Sequence, residues 1–333
     1  MPAYSRPTRL PLLATALTCL VPLFALAAQT AAPAPAPRTP PDAATQEKGL
    51  GLTGPASPAL PSLILVGDST VRNGHGLGSD GLWGWGAPIA DLFDPAKINV
   101  VNRAIGGLSS HTYISQGHWA STLALIKPGD FVLIQFGHND GGLNLPGQPL
   151  VPDQGVVPGT PAPAPPAGAT PHAPSGRGSL PGIGTETLDV TDPRTNATET
   201  VHTFGWYMRQ YVTDTRAKGA TPILCSLVPR KIWVDGKIHR STDTYRGWTQ
   251  QVATAEHVPF VDLNEIIARR YDALGQPAVE PLFGDPHTHT TLAGAQLNAE
   301  CVVAGLRALP ASQVGPLLAA LSPKGLAIPP YKP

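Results

Sequence analysis

Residues 63–71 read LILVGDSTV: four apolar side chains, Leu63 to Val66, running straight into Gly67, Asp68, Ser69 and Thr70. A run that is apolar at every position, rather than at alternate ones, suits a strand buried on both faces. Such strands belong to parallel sheets covered by helices. The glycine ends the strand and a polar turn follows. Ser69 then has two readings. Either its hydroxyl is presented beside a backbone N–H at the mouth of a helix, or it is a helix N-cap, a position serine favours.

Four further runs share this character: residues 98–102 (INVVN), 131–136 (FVLIQF), 222–228 (PILCSLV) and 259–263 (PFVDL). Helices are expected between them over residues 84–93 and 203–218, the latter with Phe204, Tyr207 and Tyr211 on one side. A last helix is expected over residues 291–309, stopped by Pro310. The alternation predicts an α/β fold, a three-layer α/β/α sandwich around a central, mainly parallel five-stranded sheet. In open sheets of this kind functional groups collect at the carboxyl ends of the strands.

Those ends are polar here. After the second run come Gly106 and Gly107, a pair that permits close backbone approach but is also common in turns. After the third come His138, Asn139 and Asp140. Asn139 suits either donation to a developing oxyanion or a turn before Asp-Gly-Gly; His138 suits support of that loop. Near the C-terminus, GDPHTHTTLAGA carries Asp285, His287 and His289. A carboxylate beside an imidazole is the pair a general base needs, although Asp and two His at alternating positions also suit zinc. Trp83 and Trp85 follow Ser69 closely, with sugar stacking and helix-to-sheet packing as their two readings.

The chain has 333 residues, with 23 basic and 23 acidic side chains, 39 prolines and three cysteines. A net charge of zero gives no electrostatic case for nucleic acid or an anionic membrane as partner. Three cysteines cannot supply a dense disulfide scaffold. Residues 1–28, with Arg6 and Arg9 before an apolar run that contains Cys19 and ends in the pattern Ala25-Leu26-Ala27, read as a secretory signal; an uncleaved anchor is the alternative. The mature protein is therefore expected to be secreted or periplasmic, with membrane contact confined to export. Residues 29–60 read as a Pro/Ala-rich linker, residues 61–310 as the folded domain and 311–333 as a tail. A proline-rich insertion is expected over residues 143–179. Cys225 and Cys301 read as two buried thiols, with pairing as the alternative.

The combination and order of these blocks are more specific than any one of them. GDS after the first strand, GG-x-S after the second, GHND after the third and D…H-x4-GA near the end resemble the SGNH (GDSL-type) hydrolase superfamily. The wording FGHNDGG and HTHTTLAGA is similar to its rhamnogalacturonan acetylesterase family. The resemblance implies a flavodoxin-like SGNH hydrolase fold, with Ser69 as nucleophile and His289 as base. It implies an oxyanion hole from Ser69, Gly107 and Asn139, and Asp285 as the orienting carboxylate. Asp285 lies four residues before His289, where relatives place it three before. His111 stands where relatives often carry arginine; with Trp83 and Trp85 it is the candidate for substrate contact. The expected activity is removal of acetyl groups from a plant cell-wall polysaccharide, acetylated rhamnogalacturonan or pectin. No metal or organic cofactor is required, and a monomer is expected. The rivals are a lipase or lysophospholipase, an acetylxylan esterase of broad specificity, a zinc hydrolase using Asp285, His287, His289 and His138, and a non-catalytic polysaccharide binder.

Overall fold

The computed structural model describes residues 42–142, 178–191 and 197–333. The expected signal segment and most of the proline-rich insertion lie outside them.

The strands, in chain order, are β1 (Ser62–Gly67), β2 (Asn99–Asn102), β3 (Phe131–Gln135), β4 (Thr187–Thr191), β5 (Thr198–His202), β6 (Thr221–Cys225), β7 (Trp233–Val234), β8 (Lys237–Ile238) and β9 (Phe260–Val261). The helices are α1 (Ala43–Gly49), α2 (Ser110–Ser115), α3 (His118–Leu123), α4 (Phe204–Ala217), α5 (Tyr245–Ala255), α6 (Leu263–Leu274), α7 (Gln276–Val279), α8 (Leu292–Ala308), α9 (Ala311–Leu318) and α10 (Pro323–Ala327).

Five strands form one sheet in the order β2-β1-β3-β6-β9, and every pairing is parallel. The expectation of a mainly parallel sheet thus becomes an entirely parallel one. β4–β5 and β7–β8 are separate antiparallel hairpins that the apolar runs did not signal. Each is short, and β4 and β5 are mostly exposed, so neither carries a continuous apolar run.

The period of two along β1 divides the core. Leu63 and Leu65 face one layer, with Ile266, Tyr271, Val302 and Leu306 of α6 and α8. Ile64 and Val66 face the other, with Tyr113, Trp119, Met208 and Tyr211 of α2, α3 and α4. Cys225 and Cys301 are both buried in the first layer as free thiols, and burial raises both pKa values, Cys301 to about 12.

Three expectations need correction. Residues 84–93 do not form an α-helix; only a 3-10 turn, Pro88–Leu92, appears. Backbone contact is the reason: Trp85 and Gly86 donate to the carbonyls of Thr70 and Val71, and a Cβ on Gly84 would lie 2.3 Å from the Val71 backbone. The linker ends earlier than expected, because Asp42 caps α1 and Glu47 is buried against Arg103, Ser121 and His118. The tail is likewise part of the fold: Val314, Leu317 and Leu321 enter the core, and Tyr331 N–H donates to Ala304 O. Val314 and Leu317 share one face of α9, and Leu321 follows it in a bridge to Phe93.

Candidate active site

β1, β2, β3 and β6 end on the same side, and the loops that leave them meet over the point between β1 and β3 where the strand order reverses. This is where an open parallel sheet leaves a crevice.

Ser69 lies two residues past β1. Its turn is held from below by buried hydrogen bonds. Asp68 Oδ1 accepts from Thr70 N–H at 2.8 Å and Thr70 Oγ1 at 2.7 Å. Gln135 Nε2 donates to Thr70 Oγ1 at 2.7 Å, and Trp85 Nε1 donates to Gln135 Oε1 at 2.9 Å. Asp68 is fully buried, and burial raises its pKa above the ordinary carboxylate value.

His289 arrives from the loop before α8. Its Nε2 lies 2.8 Å from Ser69 Oγ, across 220 residues of sequence, and its Nδ1 lies 2.6 Å from Asp285 Oδ2. Asp285 Oδ1 accepts the backbone N–H groups of His287, Thr288 and His289 at 3.0, 2.6 and 2.9 Å. Burial works to raise the Asp285 pKa, but these N–H groups and the His289 ring outweigh it and hold the carboxyl below its usual value. An ionised carboxylate only accepts hydrogen bonds, so His289 Nδ1 carries the proton and Nε2 is left to accept from Ser69.

Gly107, after β2, adopts φ +80°, which glycine reaches without strain. Asn139, after β3, donates one side-chain N–H to Leu108 O at 3.0 Å, which fixes the amide plane beside that loop. Asp140 next to it is fully buried. It accepts from Ser110 Oγ and N–H and from Ser179 Oγ, and burial raises its pKa to about 6.

Ser69, Gly106, Gly107, Asn139 and His289 line a cavity of about 490 Å³. His138, Arg230 and Thr288 close it beside His289. Leu50, Asn73 and Gly74 supply a further wall.

The three candidate substrate contacts are placed elsewhere. Trp85 is 1% exposed and serves the hydrogen bonds beneath Ser69. His111, also 1% exposed, stacks on Tyr207 and engages Gly178 O and Glu199 through its two ring nitrogens. Trp83 is half-buried, with its ring against Gly78 and its backbone paired to Thr290. None of the three lines the cavity. Trp85 takes the packing role, in the buried apolar layer beneath the Ser69 loop.

His138 is buried, but its ring nitrogens make no hydrogen bond to the loop that they were expected to support. Burial with the nearby Arg230 and His289 drives its pKa well below the ordinary value. His287 lies with its Nδ1 against Thr288 Oγ1 and 3.5 Å from the Arg230 guanidinium, an unfavourable setting for a cation ligand. Among the described residues no group of three or more His, Cys, Asp or Glu side chains converges on one point, and no helix is long and apolar enough to cross a membrane.

Leu50, Asn73, Gly74, Arg230 and Thr288 are the lining residues that the sequence reading did not single out. Arg230 follows the fourth apolar run by two residues, so the strand-end rule pointed to it. Leu50 lies in DAATQEKGLGL, where Asp42 before a run of good helix formers was the signal.

The model of the GDSL-like lipase/acylhydrolase family matches residues 65–297. Over 239 residues, 72% of this chain and 82% of the relative, the chain is 29% identical to the rhamnogalacturonan acetylesterase of Emericella nidulans. Over 262 residues, 74% of this chain and 90% of the relative, it is 24% identical to rhamnogalacturonan acetylesterase RhgT of Bacillus subtilis. The crystal structure of the Bacillus subtilis protein YxiM shares the fold with a TM-score of 0.53 at 23% identity, covering 75% of this chain and 56% of that one. With a match across most of its length, this chain belongs to the GDSL-like lipase/acylhydrolase family and is a carboxylic ester hydrolase.

Proposed function

We propose that the protein is an exported carbohydrate acetylesterase that works through an acetyl-serine intermediate, with acetylated pectin of the rhamnogalacturonan type as substrate. The single observation that carries the chemistry is the line of hydrogen bonds from Asp285 through His289 to Ser69, at 2.6 and 2.8 Å.

In this reading His289 Nε2 takes the proton of Ser69 Oγ as that oxygen attacks the ester carbonyl carbon. The charge growing on the carbonyl oxygen is met by N–H groups of Ser69, Gly107 and Asn139. Collapse breaks the bond to the sugar oxygen, which receives the proton from His289. A water molecule then gives its proton to His289 and its oxygen to the acetyl carbon. Acetate leaves, and the proton returns to Ser69 Oγ.

The substrate class rests on two supports. Among the described residues lining the cavity, Leu50 is the one aliphatic side chain, and the rest are glycines and polar or charged groups. That suits a small acyl group on a hydroxyl-rich leaving group better than a fatty chain. The relatives in Emericella nidulans and Bacillus subtilis carry the name rhamnogalacturonan acetylesterase.

The test is acetate release across acetylated pectins, xylan and mannan, with p-nitrophenyl acetate and octanoate as simple esters. Pectin is expected to lead the polymers and acetate to lead octanoate. A strong octanoate preference would favour the lipase reading, and release from xylan alone would replace the polymer.

A further inference from the structure

The segment before β1 lies outside the residues matched by the family model, which begin at residue 65, and yet it reaches the cavity. Its anchor is a buried charge cluster. Glu47, at 7% exposure, is paired with the buried Arg103, receives Ser121 Oγ at 2.8 Å and faces His118 Nδ1 at 3.2 Å. From there the chain turns: Leu50 N–H donates to Gln46 O and Leu52 N–H to Glu47 O, both at 2.9 Å. Arg72, 5% exposed, then fixes Leu50 to the loop after the nucleophile. Its guanidinium donates to Leu50 O at 2.6 Å, to Gly74 O at 2.7 Å and to His75 O at 2.8 Å. Leu50 is therefore tied into one wall with the Asn73–Gly74 loop, which lies four and five residues beyond Ser69.

Which part of a substrate meets this wall follows from the tetrahedral carbon. One of its four bonds goes to Ser69 Oγ. The oxyanion points to Gly107 and Asn139. The leaving oxygen points to His289 Nε2, because that nitrogen must hand it a proton. Arg230 and Thr288 share the base's side, since Arg230 donates to Thr288 Oγ1 and to His138 O. The fourth bond, to the acyl chain, is left with the wall of Leu50, Asn73 and Gly74.

We propose that residues 42–60 form a strap closing the acyl end of the active site, and that Leu50 limits the length of acyl chain the enzyme accepts. The proposal rests on the acyl-serine reading and adds to it a specificity-determining residue outside the family's matched region. A leucine side chain at this wall leaves room for the acetyl methyl and opposes added methylenes.

The test is kcat/KM for p-nitrophenyl acetate and p-nitrophenyl butyrate in the full chain, read as the butyrate-to-acetate ratio. Leu50→Ala is expected to raise that ratio about tenfold or more, since one methylene in a fitted pocket discriminates by about tenfold at the low end. Leu50→Phe is expected to lower it. Should Leu50→Ala fail to fold, Leu50→Val carries the same test with a smaller rise. Ratios within twofold of the unsubstituted protein in the folded variants would overturn the proposal. An unsubstituted protein that releases nothing from p-nitrophenyl acetate would instead overturn the acyl-serine reading beneath it.

Discussion

Asp285 lies four residues before His289, one more than the family resemblance implies, and still Asp285 Oδ2 lies 2.6 Å from His289 Nδ1. The extra residue is absorbed because the other carboxylate oxygen gathers the N–H groups of residues 287, 288 and 289. One side chain thus folds the loop and orients the ring it carries. Asp285→Asn retains an oxygen for the backbone groups and loses the obligate acceptor for Nδ1–H. Turnover of p-nitrophenyl acetate is expected to fall by about 10⁴-fold, the cost of the wrong imidazole tautomer in a serine triad, with the melting temperature little changed. A drop under tenfold would remove Asp285 from this role.

Asn139→Ala removes one oxyanion donor while leaving the sheet untouched. The expected loss in kcat is about 10²–10³-fold, with KM nearly constant, because the bond strengthens as charge develops. Stopped assays on a simple acetate ester measure both parameters. A variant that matches the unsubstituted protein would show that Asn139 serves only its turn.

Trp85→Phe separates packing from sugar contact. The substitution keeps an aromatic ring in the core and leaves the buried Gln135 Oε1 without its donor. The expected cost is about 1–3 kcal/mol in urea unfolding, the usual penalty of an unpaired buried polar group. The preference for a polymeric over a simple acetyl ester should not move. A changed preference at constant stability would restore Trp85 to the substrate.

Asp140 gives the pH dependence. Its folded pKa is raised by burial from 3.8 to about 6, so the folded state holds a proton that the unfolded chain has already lost between those values. Its contribution to stability is complete below about pH 4 and is lost as pH rises through about 6, a change of about 3 kcal/mol. Asp140→Asn abolishes the titration, so the variant should gain on the unsubstituted protein as urea unfolding is repeated from pH 4.5 to pH 7. Parallel stability curves would contradict this.

The five sheet strands were legible because strands buried on both faces cannot hide: Leu63 to Val66 and Phe131 to Ile134 are apolar without interruption. The convergence of Ser69, Asn139 and His289 followed from blocks whose order is characteristic. What the sequence concealed depends on contacts between distant segments. Nothing local tells that Gly84 packs on the Val71 backbone, that Glu47 finds Arg103 or that Gln135 is waiting for the indole of Trp85. Leu50 was hidden in a segment whose composition resembles a linker but whose seven-residue helix is held by a buried ion pair.

Covalent labelling reads directly whether Ser69 is a nucleophile activated by His289. After treatment with a fluorophosphonate, peptide mass spectrometry should place one adduct on Ser69, and His289→Ala should slow its appearance by orders of magnitude. An adduct on another serine, or labelling of Ser69 at an unchanged rate without His289, would contradict the account.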